Sequence, residues 1–122
     1  MFKLTVTSSF SAAHNIRGYE GKCENLHGHN WKVEAGVSSK RTDRLGMVVD
    51  FKILKDETKK VLDSLDHKYL NETPPFDRLN PTAENIARFV YKTLSSRING
   101  RGIKITGVKV WESENSAASY SE

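Results

Sequence analysis

Three of the four histidines and the single cysteine of this chain, His14, Cys23, His27 and His29, fall within sixteen residues. His27 and His29 are spaced i, i+2, which cannot share a helix face but points to one side of a β-strand. Neutral imidazoles converging on one side are the usual makings of a zinc site. Three nitrogen ligands, with His14 as the third, leave a coordination position open for chemistry. Cys23 admits several readings at this point. It can be a fourth zinc ligand closing a structural site, a free thiol for proton transfer, an inert buried residue or an exposed loop residue. Zn²⁺ and the adjacent cation Lys22 would lower its pKa below the free value of about 8.5 and make a thiolate available at neutral pH.

Two further acids stand where they can matter. Asp66 is followed directly by His67. A carboxylate beside an imidazole fixes its tautomer and raises its pKa, the preparation of a general acid or base; the same pair at a helix end also serves capping and dipole compensation. Glu112 is in phase with Val108 and Val110 on a strand. There it is either a carboxylate accepting two hydrogen bonds from a guanidine-like ligand edge or a strand-end residue in solvent. Thr82 and Glu84 read as a helix cap and a first-turn acid. No P-loop, GxGxxG or Ser-His-Asp pattern is present.

The elements must then bring these residues together. Phe2, Leu4 and Val6 alternate with Lys3, Thr5 and Thr7, and the parity runs on through Phe10 and Ala12 to His14. A bulge near Ser8-Ser9 would break that phase. Residues 15 to 26 form a loop with two glycines, after which His27, His29, Trp31, Val33, Ala35 and Val37 face one way. Antiparallel pairing through the loop brings the three histidines together. Met47-Val48-Val49 reads as a short extended piece, and Asp50 as the cap of a helix with Ile53, Leu54, Val61, Leu62 and Leu65 as its stripe. A second helix starts at Pro81-Thr82, carries Ile86, Ala87, Phe89, Val90 and Leu94, and ends at Asn99-Gly100. A strand from Ile103 to about Glu112 and a segment around Ala117 to Tyr120 close the chain. The expected fold is α+β, in the order β-β-α-α-β-β, with two helices packed on one face of an antiparallel sheet.

The 122 residues are expected to form one domain, 1–122, with 37% hydrophobic and 28% charged residues, ordinary for a soluble protein. No apolar run approaches the roughly 18 residues of a membrane span, and the alternating N-terminus is no signal-peptide core. A lone cysteine fits a reducing cytoplasm. The net charge of +4 is too small and too mixed to argue for nucleic acid; it suits either a diffuse positive surface or a small anionic substrate.

The string FSAAHNIRGYEGKCENLHGHNWKVE, followed in order by GMVVDF, LDHKYLN, NPTAENIA and VKVWES, resembles the 6-pyruvoyltetrahydropterin synthase / 6-carboxytetrahydropterin synthase family over nearly the whole chain. The resemblance implies the tunnelling (T-) fold, with subunits forming trimeric barrels that stack into a hexamer and active sites at subunit interfaces. It implies His14, His27 and His29 as zinc ligands and Cys23 as the catalytic proton acceptor. Asp66 and His67 are implied as the second acid/base and Glu112 as the anchor of the pterin's amino-pyrimidine edge. Thr82 is similar to a pterin-pocket residue, and Lys22 is the nearest candidate for a triphosphate contact. Two activities share this framework, both acting on 7,8-dihydroneopterin triphosphate. One yields 6-carboxytetrahydropterin, acetaldehyde and triphosphate in queuosine (7-deazaguanine) biosynthesis; the other yields 6-pyruvoyltetrahydropterin towards biopterin. The three residues between Cys23 and His27 and the WES-x-x-SAASY ending resemble the carboxy-forming type. A non-catalytic zinc-stabilised binding module is the alternative of another class.

Overall fold

The computed structural model describes residues 1–20 and 25–122. Its elements run β1 (Phe2–His14), β2 (His27–Ser39), α1 (Phe51–Asp63), β3 (Lys68–Tyr69), a 3₁₀ turn (Leu70–Glu72), α2 (Ala83–Ile98), β4 (Lys104–Ser113) and β5 (Ser116–Tyr120). The alternation of β1 and β2 pays out as one uninterrupted antiparallel ladder from Phe2↔Ser39 to His14↔His27. Ser8 and Ser9 pair with Val33 and Lys32 in that ladder, so no bulge interrupts the phase of His14. The irregularity falls instead between Gly36 and Val37, where β2 meets β4.

The sheet order is β3-β1-β2-β4-β5. It is mixed rather than wholly antiparallel, because β3 lies parallel to β1 through Ala12↔Lys68 and Ala13↔Tyr69. Two residues carry no readable period, and this strand exists because Asp66 and His67 engage the free edge of β1 at Ser11. Met47–Val49 forms no strand; the Asp43 carboxylate gathers the segment into a turn by accepting from the Leu45 and Met47 amides.

Both helices lie on one sheet face. Asp50 caps α1 by accepting from the Lys52 amide, and Thr82 caps α2 by accepting from Asn85. Leu54, Val61, Leu62 and Leu65 are buried, whereas Ile53 is 55% exposed, one position off the stripe. From α2, Ile86, Ala87, Val90 and Leu94 share one buried core with Phe10, Trp31, Val33 and Val110 of the sheet. Each fully buried aliphatic side chain here stabilises the fold by about 1.5–3 kcal/mol relative to exposure. No helix among the described residues is long and apolar enough to cross a membrane.

Candidate metal centre and acid/base pair

The core face of the sheet becomes polar at one end. His14 and His27, the last pair of the β1–β2 ladder, stand directly opposite one another, and His29 follows two residues along β2 on the same face. Beneath them Trp31 is fully buried, its ring edge-on to His14 at 4.8 Å and to His29 at 5.4 Å, and stacked on Phe10 at 5.8 Å. The Trp31 indole N–H donates to the Ala12 carbonyl at 3.3 Å. This apolar floor limits where the imidazoles can turn.

Backbone carbonyls fix the tautomers. His14 Nδ1 lies 2.7 Å from the Pro81 carbonyl and His27 Nδ1 lies 2.6 Å from the Asn25 carbonyl. A carbonyl only accepts, so both Nδ1 atoms carry the hydrogen and both Nε2 atoms of the neutral rings present lone pairs. Those two Nε2 atoms face each other at 3.1 Å. Two lone pairs at that distance repel unless a proton or cation sits between them. Burial pushes the His14 pKa down, more strongly than the Pro81 carbonyl and Glu112 push it up, so the proton is disfavoured. His29 is likewise pushed down, chiefly by burial against the opposing pull of Glu112. Its Nε2 is buried without a hydrogen-bond partner among the described residues. Buried polar atoms are almost always paired, so this one asks for a partner beyond the described residues.

Glu112 completes the group. It follows Val108 and Val110 on the same face of β4, and its Oε1 lies 3.5 Å from His29 Nε2. One ligand atom from each of His14, His27, His29 and Glu112 lies within 4.8 Å of all the others. Tetrahedral zinc with Zn–N bonds of about 2.0–2.1 Å separates its nitrogens by about 3.3–3.4 Å, close to the 3.1 Å between His14 and His27 Nε2. The donor set therefore fits a borderline divalent cation such as zinc. A cavity of about 540 Å³ opens beside the cluster, lined by His29, Asn30, Lys32, Trp111, Glu112 and Glu114 among others.

Asp66 and His67 form a true pair, but elsewhere. His67 Nδ1 lies 3.0 Å from Asp66 Oδ2. The Ser11 amide donates to Asp66 Oδ1 at 2.8 Å, and the His67 amide donates to the Ser11 carbonyl at 2.6 Å. The Ser11 amide first, and the His67 ring after it, hold the Asp66 carboxyl below the usual aspartate range. His67 adopts a φ of 57°, in the left-handed region that non-glycine residues seldom occupy. Its side chain is 83% exposed. It lines a cavity with Ser11, Ala13, Asn30 and His29, so this cavity borders both the pair and the histidine cluster.

The remaining sequence candidates divide. Thr82 caps α2 through its side-chain oxygen, one residue beyond the carbonyl that holds His14. Cys23 and Lys22 lie outside the described residues. Sequence reasoning missed the Pro81 and Asn25 carbonyls, because a backbone acceptor carries no letter of its own. The nearest available signal was proline at 81, which starts a helix beside a histidine-bearing strand end.

Comparison with known proteins agrees with this geometry. The sequence pattern of the family described as 6-pyruvoyl tetrahydropterin synthase matches residues 3–122. A Haemophilus influenzae protein named 6-carboxy-5,6,7,8-tetrahydropterin synthase is 35% identical over 144 aligned positions, covering 100% of both chains. One of the same name from Synechocystis sp. is 36% identical over 118 positions, covering 92% of this chain and 87% of its own. Among solved structures, Caenorhabditis elegans 6-pyruvoyl tetrahydropterin synthase superposes with a TM-score of 0.88 at 28% identity, covering 99% of this chain and 95% of its own. The Plasmodium vivax 6-pyruvoyl tetrahydropterin synthase shares the fold, with a TM-score of 0.80 at 24% identity over 99% of this chain and 97% of its own. Two helices on a mixed five-stranded sheet, in the order these structures share, are the T-fold. The chain thus belongs to the 6-pyruvoyl tetrahydropterin synthase family, whose tetrahydropterin synthases are lyases.

Proposed function

We propose that this chain is a zinc-dependent 6-carboxy-5,6,7,8-tetrahydropterin synthase. It would convert 7,8-dihydroneopterin triphosphate to 6-carboxytetrahydropterin, acetaldehyde and triphosphate in the queuosine pathway of the cytoplasm. The observation that carries the metal is the facing pair of Nε2 lone pairs on His14 and His27, with Nδ1 of each committed to a carbonyl. The choice of the carboxy product rests on the name carried by the relatives at 35% and 36% identity. The solved structures named for the pyruvoyl product favour the alternative, 6-pyruvoyltetrahydropterin formation, by fold likeness alone.

In this reading His14, His27 and His29 hold the zinc, which when bound supplies Lewis-acid polarisation of the substrate's side-chain oxygens. Glu112 accepts two hydrogen bonds from the pterin's amino-pyrimidine edge and keeps the reacting carbons in place. Thr82 borders that pocket, and Lys22 meets the triphosphate. Asp66 takes the Nδ1 hydrogen of His67, leaving His67 Nε2 as the atom that accepts or delivers a proton. Cys23 takes the other proton as a thiolate.

Among the described residues no hydrogen bond or ion pair joins the Asp66–His67 pair to the cluster, although His67 and His29 border one cavity. We therefore assign their meeting to a homo-oligomer, a trimer or a hexamer built from two trimers, in which residues 1–122 act as one unit. Two free edges favour such assembly: β5, and β1 below its short contact with β3.

The test is to incubate zinc-loaded protein with 7,8-dihydroneopterin triphosphate and read products by mass spectrometry with an acetaldehyde assay. Acetaldehyde and a 6-carboxypterin are expected. A 6-pyruvoyl product without acetaldehyde moves the chain to the other branch, and no consumption of substrate overturns the catalytic reading.

A further inference from the structure

We propose that Asn80 is a positioning residue for the histidine cluster, because one side chain ties together the two segments whose contact orients His14. This inference rests on the cation-binding reading of the cluster.

The ladder between β1 and β2 ends at His14↔His27, and the chain runs on without a strand partner. Two asparagine side chains take the partner's place. The Asn15 amide donates to Asn71 Oδ1 at 3.0 Å while Asn71 Nδ2 donates to the Asn15 carbonyl at 2.8 Å. Two residues on, the Arg17 amide donates to Asn80 Oδ1 at 3.0 Å and Asn80 Nδ2 donates back to the Arg17 carbonyl at 3.0 Å. Each carboxamide thus satisfies one residue's donor and acceptor, as a neighbouring strand would.

Asn80 differs from Asn71 in what its backbone does. Its carbonyl accepts from the Asn85 side chain and from the Thr82 amide, both at 2.9 Å, which locks it to the start of α2. The next residue is Pro81, whose carbonyl receives the His14 Nδ1 hydrogen. A closed ring results: His14 to the Pro81 carbonyl, through the peptide to Asn80, across its carboxamide to Arg17, and back along the chain to His14. Removing the carboxamide opens the ring. The Arg17 guanidinium still donates to the Phe76 carbonyl at 2.8 Å and Asn71 still holds Asn15, but the tie next to the Pro81 carbonyl is gone, so the imidazole's direction loosens while the ligand itself is intact. Direct partners of a metal-binding histidine change affinity by about 10–100-fold, and Asn80, one step behind the Pro81 carbonyl, is placed at the lower end of that range.

The experiment is a cobalt(II) titration of the full chain, reading affinity by chelator competition and geometry by the visible ligand-field bands. Asn80→Ala is expected to bind cobalt about tenfold more weakly, with altered bands. Asn80→Asp keeps the acceptor for the Arg17 amide and is expected to lose only about threefold, one hydrogen bond's share. Asn99→Ala is the control for mere destabilisation. It removes the acceptor of the Ile105 amide at the far end of α2, so it lowers Tm and leaves cobalt affinity unchanged. Wild-type affinity and bands in Asn80→Ala overturn the proposal, as does an equal loss in Asn99→Ala. Should the alanine variant not fold, the aspartate variant decides, and an unchanged constant there overturns it. Cobalt that fails to bind the wild-type chain sinks the metal reading as well, a result distinct from either.

Discussion

The histidine cluster and the Asp66–His67 pair use the same ring in opposite ways. In the cluster, backbone carbonyls take Nδ1 of His14 and His27, burial disfavours the charged form of His14 and His29, and Nε2 atoms converge until they need something between them. In the pair, a carboxylate takes Nδ1 and the ring stands 83% exposed at the sheet edge. A neutral carbonyl partner with desolvation makes an imidazole a ligand; an anionic partner in solvent makes it a proton carrier. The partner and the depth, more than the residue, separate the two kinds of chemistry.

That contrast can be broken most directly at His27. His27→Ala removes half of the facing Nε2 pair, so bound zinc and turnover should disappear together, with turnover down by at least about 1,000-fold, about 4 kcal/mol of barrier. Metal analysis beside a rate assay checks this, and activity surviving without metal would erase the division. His67→Ala should do the reverse, retaining zinc while kcat falls about 100-fold, within the range of a lost general acid or base. Normal turnover in that variant ends the acid/base role. Cys23→Ala should also keep the metal and lose turnover to a similar degree; loss of zinc there would revive the closed structural site. Glu112→Gln sharpens the boundary between the regions, since the carboxylate touches the cluster yet is assigned to the substrate. It should raise KM about tenfold at unchanged zinc content, the worth of a weakened charge-assisted hydrogen bond.

The smallest effect is on stability in acid. The Ser11 amide and the His67 ring depress the Asp66 pKa in the folded state. That contribution is complete above the ordinary aspartate value of about 3.9 and is lost as pH falls through it towards the lower folded value. Asp66→Asn should therefore show a shallower decline of Tm below about pH 4 than the parent chain. Identical declines in a thermal series over pH would show that Asp66 is not held by these contacts.

Parity made the cluster legible. Strand alternation from Phe2 to His14 and from His27 to Val37 placed three histidines on one face because the ladder between them has no bulge. The helices were legible from their caps, Asp50 and Thr82, since a capping oxygen is a side-chain feature. What stayed hidden has physical reasons. The β3 strand is two residues long and is held by contacts to Ser11 rather than by any pattern of its own. The carbonyls of Pro81 and Asn25 act through backbone atoms common to every residue. Adjacency of Asp66 and His67 in sequence left open whether they touch, because the contact depends on the left-handed backbone of His67 and on Ser11 holding the carboxylate.

The unbroken run of strand pairs from Phe2↔Ser39 to His14↔His27 has a consequence for how such a site can change. The three imidazoles are indexed by that ladder, counted from its far end; the connection between the strands adds only its two ends, the Arg17 backbone held by Asn80 and the Asn25 carbonyl at His27. Between those two ends the connection can lengthen, shorten or exchange its reactive residues while the ligand frame stays in register. The ribbon behaves as a fixed mount and the loop as an interchangeable tool, so new chemistry can be tried at this centre without first rebuilding it.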